Sequence, residues 1–296
     1  MSKSDDNNSC QSDTMSLEDK LLGFCHSDSL SEEGIHYFIE LQKESTPDNY
    51  LHVSDYEFFH LACCNEKVTE GIIRCLLEYF PAAAAAADED GCLPIHYACE
   101  NKNVSLGIIR LLIDAAPDSV RRVDSYGNMP IHWLCSNKEL GETTATQILK
   151  LLLEKYPESI QHVNNASLLP IHLAAIALKS PKFCRVLIEA YRGSERIADS
   201  IGRLPLHFAC MHNTVETVEY LHNLYPDAIH NTMTSGLYPI HYAICALAIG
   251  GTNLNPGARV DIVKFLLSCD ARVKFKSFGV SLCLSTMLAL RSTNQT

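Results

Sequence analysis

Histidine and cysteine, thirteen of each in 296 residues, are the side chains here whose types invite chemistry. Histidine could ligate a metal or move protons at neutral pH, and cysteine could ligate, attack or cross-link. Spacing decides what they can do. His60, His96, His132, His172, His207 and His241 each follow an apolar residue, at separations of 36, 36, 40, 35 and 34 residues. If each occupies an equivalent helix of a stack, neighbours stand ~10 Å apart. One metal ion needs its ligands converging within about 2–3 Å. The row therefore reads as a set of structural tethers, with no metal and no cofactor expected. Cys63, Cys99, Cys135 and Cys210 each fall three residues after such a histidine, and Ala175 and Ile244 fill the slot in two other copies. A slot shared by Cys, Ala and Ile is a buried site for a small or medium apolar group. With an odd count and no Cys-x-x-Cys pair, the cysteines are expected to be reduced core residues. Gly-x-Ser-x-Gly, His-Glu-x-x-His, Gly-x-Gly-x-x-Gly and the phosphate-loop pattern are absent.

The elements that must position these histidines are written in one phrase. Gly127 to Cys135 reads Gly-Asn-Met-Pro-Ile-His-Trp-Leu-Cys, with Asp124 three residues ahead. Asp and Gly at the ends of a four-residue window suit a tight turn, and Pro130 suits a helix start. The phrase recurs as Gly91-Cys-Leu-Pro94-Ile-His96, Leu168-Leu-Pro170-Ile-His172, Gly202-Arg-Leu-Pro205-Leu-His207 and Gly236-Leu-Tyr-Pro239-Ile-His241, with a weaker copy at Phe58-Phe-His60. A second amphipathic helix follows each, as in Gly107-Ile-Ile-Arg-Leu-Leu-Ile and Gln147-Ile-Leu-Lys-Leu-Leu-Leu. Pro81, Pro117, Pro157 and Pro226 stop these helices, and Gly193 does so in the fourth copy. A self-similar period in this range marks a helical repeat array.

These residues resemble the ankyrin repeat, whose signature is Thr-Pro-Leu-His-x-Ala at the start of the first of two helices. The resemblance covers roughly residues 53–272. It implies an all-α fold, an ankyrin-repeat α-solenoid of stacked helix-turn-helix units with short turns or hairpin tips. One departure is systematic: Leu93, Met129, Leu169, Leu204 and Tyr238 stand in the Thr slot. In the family that hydroxyl bonds the histidine, so backbone of the adjoining repeat is the only tether expected here. The linkers Pro-Asp-Ser-Val, Pro-Glu-Ser-Ile and Pro-Asp-Ala-Ile replace the family's Gly-Ala-Asp-Val and account for the longer period.

The domain reading follows the repeat phase. Residues 1–15 are expected to be a disordered acidic tail, and 16–52 a degenerate N-terminal capping helix pair. About six repeats occupy 53–272. Residues 273–296 form either a degenerate cap or the stub of a truncated repeat. Lys138–Ala145 and Ala248–Gly257 read as inserted loops in the third and sixth repeats. The Ala82–Ala87 run fits either an extra helical turn or a linker. Trp133 stands in an apolar column and reads as core.

The formal charge is −11, and the first 45 residues hold ten acidic groups against three basic ones. With no basic stripe, nucleic acid and anionic membranes are not expected as partners. No secretory leader and no membrane span is expected. Reduced thiols point to an intracellular, cytoplasmic setting, with the nucleus left open.

Function is expected from the face of turn tips and first helices. By resemblance, candidate partner-binding residues are Glu89, Asp90, Glu100, Asn101, Tyr126, Asn128, Ser136, Asn137, Ile201, Arg203, Met211, His212 and Leu237. The expected role is a non-catalytic scaffold binding an unidentified protein partner. The alternative is the regulatory part of a larger ankyrin-containing enzyme or channel.

Overall fold

The computed structural model describes residues 16–45, 56–249 and 256–270. The acidic tail, the join at 46–55 and the C-terminal segment after 270 lie outside the described residues. Seven helix pairs appear among the described residues, and no strand. A leading pair, α1 (Leu17–His26) and α2 (Glu32–Ser45), precedes six repeats, each numbered by its histidine. Repeat one is α3 (Glu57–Cys64) and α4 (Glu70–Tyr79); repeat two is α5 (Pro94–Glu100) and α6 (Leu106–Ala115). Repeat three is α7 (Pro130–Ser136) and α8 (Glu142–Lys155); repeat four is α9 (Pro170–Ile176) and α10 (Pro181–Ala190). Repeat five is α11 (Pro205–His212) and α12 (Val215–Leu224); repeat six is α13 (Pro239–Ile249) and α14 (Pro256–Cys269).

Odd-numbered helices stack on one another from α1 to α13, and even-numbered helices from α2 to α14. The result is two layers with the core between them. The column two residues after each histidine explains the close approach: Ala62, Ala98, Leu134, Ala174, Ala209 and Ala243 are all buried. Small side chains there let helix backbones come together. Ile95, Ile131, Ile171 and Leu206, one residue before the histidine, fill the space beneath.

Helix starts follow local rules. Proline opens α5, α7, α9 and α11, where its missing N–H costs nothing. The second helices use hydroxyl caps: Thr69, Ser105 and Ser180 accept from Ile72, Ile108 and Phe183 N–H at 3.2, 3.2 and 3.3 Å. All three caps are tied to the preceding helix pair, Thr69 through its hydroxyl to Glu32 at 3.4 Å. The Ser105 hydroxyl donates to Glu70 at 2.7 Å and the Ser180 hydroxyl to Glu142 at 2.6 Å. Gly107 makes room for that contact, since a Cβ there would lie 1.9 Å from Glu70 Oε1.

After each proline stop the chain makes a short 3-10 turn, Pro117–Arg121, Pro157–Gln161 and Pro226–His230 among them. Val120, Ile160 and Ile229 tuck back into the stack from these turns. The alanine run resolves the same way, with Pro81–Ala85 forming a 3-10 turn.

The inserted segments differ from expectation. Only Lys138–Gly141 is a loop in repeat three, because Glu142–Ala145 forms the first turn of a fourteen-residue α8. Ala145 and Thr146 are buried there, so packing extends the helix into a segment whose Gly and Thr suggest loop. In repeat six, Ala248 and Ile249 belong to α13, and Pro256 and Gly257 to α14; 250–255 lie outside the described residues.

The cysteine slot holds as read: Cys63, Cys99, Cys135 and Cys210 are buried free thiols. Cys245 is the correction, because it is disulfide-bonded, and none of the other described cysteines is its partner.

Candidate partner-binding face

Four of the five described tips are built around one acidic or amide side chain, and Met233 stands at that place in the tip of repeat six. Asp124 Oδ1 accepts from Tyr126 and Asn128 N–H at 2.9 and 2.7 Å. Its Oδ2 accepts from the Trp133 indole N–H at 2.9 Å. Asp88 does the same for Asp90 and Cys92, and takes the Tyr97 hydroxyl at 2.6 Å. Asp199 serves Ile201 and Arg203 N–H and pairs with the Arg203 guanidinium at 2.6 Å. One carboxylate thus fixes both the tip and the first helix beside it. Trp133 is half-buried against the core with its polar edge satisfied. Gly127 turns the corner at φ 75°, and a Cβ there would meet Asn165 Oδ1 at 2.6 Å. The fourth repeat holds Ser167 at φ 60° in the same place.

Five motif histidines are tied at Nδ1, and His132 and His172 are tied a second time at Nε2. The N–H of the residue in the family's Thr slot donates to Nδ1: Leu93 to His96, Met129 to His132, Leu169 to His172, Leu204 to His207 and Tyr238 to His241, at 2.9–3.2 Å. This corrects the expectation of a single tether, since the backbone supplies what the missing hydroxyl does not. An accepting Nδ1 fixes the proton on Nε2. Nε2 then reaches the next repeat: His132 to His162 O at 3.2 Å and His172 to Ile197 O at 3.1 Å. His96 and His207 face the corresponding carbonyls, Arg122 and Asn128, and Asn231 and Leu237, without a bond of full geometry. Burial pushes His132, His172 and His207 down to about 4 and lowers His96 and His241. These rings are neutral donors in the core. Among the described residues no group of three or more His, Cys, Asp or Glu could hold a metal ion.

The other end of the first helices carries a column of asparagines. Asn65 amide N–H groups donate to Cys25 O and Ser27 O, both at 2.9 Å. Asn101 reaches back to Cys63 O and Asn65 O, and Asn137 to Cys99 O and Glu100 O, at 2.8–3.1 Å. Asn213 reaches Ala175 O and Lys179 O. Asn101 and Asn137 are therefore corrected: they are buried and spend their amides on helix-end carbonyls of the preceding repeat, instead of facing a partner. Leu237 is also buried, packed beneath its tip.

The remaining candidates divide by exposure. Glu89, Asp90, Glu100, Tyr126 and Ser136 are exposed; Asn128, Ile201, Arg203, Met211 and His212 are half-buried. Arg203 is occupied by Asp199 and lies 4.5 Å over the Phe208 ring. Burial brings His212 down to about 4, with Lys138 and Arg203 adding to the shift.

A cavity of about 540 Å³ lies between α3 and the first tip, lined by Glu57, His60, Leu61, Cys64, Ala87–Asp90 and Tyr97. A second, about 360 Å³, runs past Cys64, Glu66, Glu100, Lys102 and Ser136–Glu139. A third, about 400 Å³, runs past Cys25, His26, Asp28, Leu61 and Cys64–Lys67. All three have Cys64 in their lining, a trough of adjoining cavities along the first helices of the leading pair and repeats one to three. Eight carboxylates line it: Asp28, Glu57, Glu66, Asp88, Glu89, Asp90, Glu100 and Glu139, against Lys67, Lys102 and Lys138. Lys102 is bound by Glu66 at 2.6 Å and Glu139 at 3.9 Å. Sequence reasoning found Glu89, Asp90, Glu100 and Ser136 of this trough and missed Glu57, Cys64 and Tyr97. Their signal was their distance in sequence from the motif histidine: Cys64 follows its histidine by four residues, as Glu100 and Ser136 follow theirs.

No helix among the described residues is long and apolar enough to cross a membrane. No curated protein matches the chain in sequence. A family model for ankyrin repeats, in three copies, matches residues 59–166 and 171–277. Ankyrin repeats generally bind other proteins and are typically non-catalytic. The phase of the Pro-x-His phrase, the two-layer stack and the match over most of the length agree: this chain belongs to the ankyrin-repeat family.

Proposed function

We propose that this protein is a non-catalytic interaction module whose trough over the leading pair and repeats one to three takes a basic segment of a protein partner. The observation that carries this is the sign of the adjoining cavities around Cys64, eight carboxylates to three lysines. Opposite charge on a partner raises its encounter rate and excludes acidic competitors, and salt weakens both effects. Tyr97, half-buried against Asp88 in the trough wall, offers an aromatic face to an arginine. Ten of the eleven described cysteines are free thiols, Cys245 being the exception, which suits a reducing compartment, and we place the protein in the cytoplasm on that basis.

The test is fluorescence anisotropy with a labelled Arg/Ala peptide and its Glu/Ala counterpart. The basic peptide binds and the acidic one does not. Glu89→Lys with Glu100→Lys weakens binding at least about tenfold at low salt, as loss of close charge complementarity does. Glu154→Lys, on the second-helix layer, leaves it unchanged. Equal binding of both peptides, or no effect of the charge reversals, removes the proposal.

A further inference from the structure

The second-helix layer of the leading pair and repeat one holds a connected set of side chains that the trough does not use. Cys75 and Tyr79 lie one turn apart on α4, and both meet His36 of α2. Cys75 Sγ is 3.5 Å from His36 Nε2 and the Tyr79 hydroxyl is 3.2 Å from His36 Nδ1. The Tyr79 hydroxyl also faces the Glu40 carboxylate. Lys43 holds that carboxylate at 2.8 Å, with its ammonium 4.7 Å over the Tyr79 ring.

Donor and acceptor inventory orients the set. A carboxylate only accepts, so the nearby Glu40 draws the Tyr79 O–H toward itself, without a bond of full geometry. The Tyr79 oxygen then accepts the His36 Nδ1–H. That leaves Nε2 as the bare nitrogen, and it accepts the Cys75 S–H. His36 is exposed, and Cys75 retains 5 % of its surface. Burial pushes the Cys75 thiol up to about 11, with Glu78 and Glu32 adding to the rise. Near neutral pH the sulfur is therefore protonated at rest, and attack requires a base already in contact with it.

We propose that Cys75 is a nucleophilic thiol with His36 as its general base, and that the pair is a site of mixed-disulfide formation with cationic small-molecule disulfides. In the step, His36 Nε2 takes the thiol proton as Cys75 Sγ attacks one sulfur of the disulfide. The new S–S bond forms, the old one breaks, and the leaving sulfur departs with the electron pair and takes the proton from Nε2. The incoming disulfide is the oxidant; one half of it is reduced to a thiol and Cys75 is oxidised. The charge preference comes from Glu32, Glu40 and Glu78 around the sulfur and imidazole, against the single ammonium of Lys43.

The internal reference is Cys64, which is exposed and has no imidazole bonded to it; burial, with Glu100 and Asp88, pushes it up to about 12. The full-length reduced protein is treated with cystamine or with oxidised glutathione, and each cysteine is followed by peptide mass mapping. Cystamine loads Cys75 ahead of Cys64, and loads Cys75 at least about tenfold faster than oxidised glutathione does. His36→Gln slows Cys75 by at least about tenfold, toward the low end of what a general base supplies, and leaves the Cys64 rate unchanged. Tyr79→Phe, which keeps the His36 contact but removes the orienting hydroxyl, slows Cys75 less. Cys64 reacting ahead of Cys75 overturns the proposal, as does a Cys75 rate indifferent to His36→Gln. Equal rates with both disulfides overturn the cationic preference. Thermal melts show whether His36→Gln is folded; if it is not, Tyr79→Phe carries the test, and no slowing there overturns the base assignment.

Discussion

Repeats three and four occupy neighbouring places in the stack and solve the same problems with different residues. Repeat three fixes its tip with Asp124 and turns at Gly127, whereas repeat four uses Asn164 and turns at Ser167 with φ 60°. At the other end of the first helix, repeat three reaches back with Asn137. Repeat four has Ala177 there, followed by Leu178 at φ 61° and a buried Lys179. Burial lowers the Lys179 ammonium, which faces Cys135 and Glu142 of repeat three and lies 5.0 Å from the Phe183 ring centre. The histidine is the same in both. The difference teaches which parts of the repeat are obligatory: the doubly tied imidazole persists, while the turn residue and the helix-end clamp can be exchanged.

If the histidine is the shared requirement, its loss should cost both repeats alike. His132→Ala and His172→Ala are each expected to lower stability by about 3 kcal/mol, combining an unpaired buried carbonyl with a cavity. Denaturant melts check this, and a cost confined to one repeat breaks the comparison. Acid tests the same rings together. The unfolded imidazoles take a proton below about pH 6.5, whereas His132, His172 and His207 do so only near 4. Stability is therefore fully present above about 6.5 and falls as pH drops toward 4, by up to about 1.4 kcal/mol per histidine per pH unit. Melts between pH 7 and pH 4.5 read the slope.

The clamp should behave oppositely in the two repeats. Asn137→Ala leaves helix-end carbonyls unpaired and is expected to cost about 2 kcal/mol. Lys179→Met removes a buried charge while keeping volume, and is expected to be neutral or stabilising by about 1 kcal/mol. A Lys179→Met protein that melts earlier than the parent would show the ammonium to be a clamp in its own right. The turn gives a smaller pair of opposite signs. Gly127→Ala should cost about 1–2 kcal/mol, and Ser167→Gly should gain up to about 1 kcal/mol by relieving a positive φ. Smallest is Tyr126→Ala at the exposed tip of repeat three, expected to stay within about 0.5 kcal/mol in thermal melts.

What could be read from the sequence was whatever repeats with the chain's own period. The histidine row, the proline helix starts and stops, the alanine column and the cysteine slot each recur at one phase, and the structure places them accordingly. The asparagine column also recurs, but an Asn at a helix end reads equally as a cap or as an exposed polar group. Its carbonyl partners lie 36–38 residues back for Asn101 and 37–38 back for Asn137, a distance at which sequence gives no direction. The backbone N–H bond to five of the histidines was hidden because a donor common to nearly every residue leaves no mark on side-chain identity. The Glu142–Ala145 helical turn was lost to local composition. Cys75 and His36, 39 residues apart, meet only because α2 and α4 stack, and the leading pair lacks the phrase that would have set its register.

The two rows of inter-repeat bonds have a mechanical consequence. Between repeats two and three both ends of the first helices are pinned, by Ser125 N–H to Asp90 O at the tips and by Asn137 at the far end. Between three and four, among the described residues, the tips are joined by Asn165 N–H to Tyr126 O and no asparagine closes the far end. Between four and five the arrangement reverses: Asn213 closes the far end, and among the described residues no backbone bond joins the tips. Both joints are nonetheless held at both edges: Ser180 to Glu142 closes the far end between three and four, and His172 to Ile197 O ties the tip side between four and five. The cohesion of the stack therefore rests on no single residue type at its seams, and a seam residue can be exchanged without unhinging the rod.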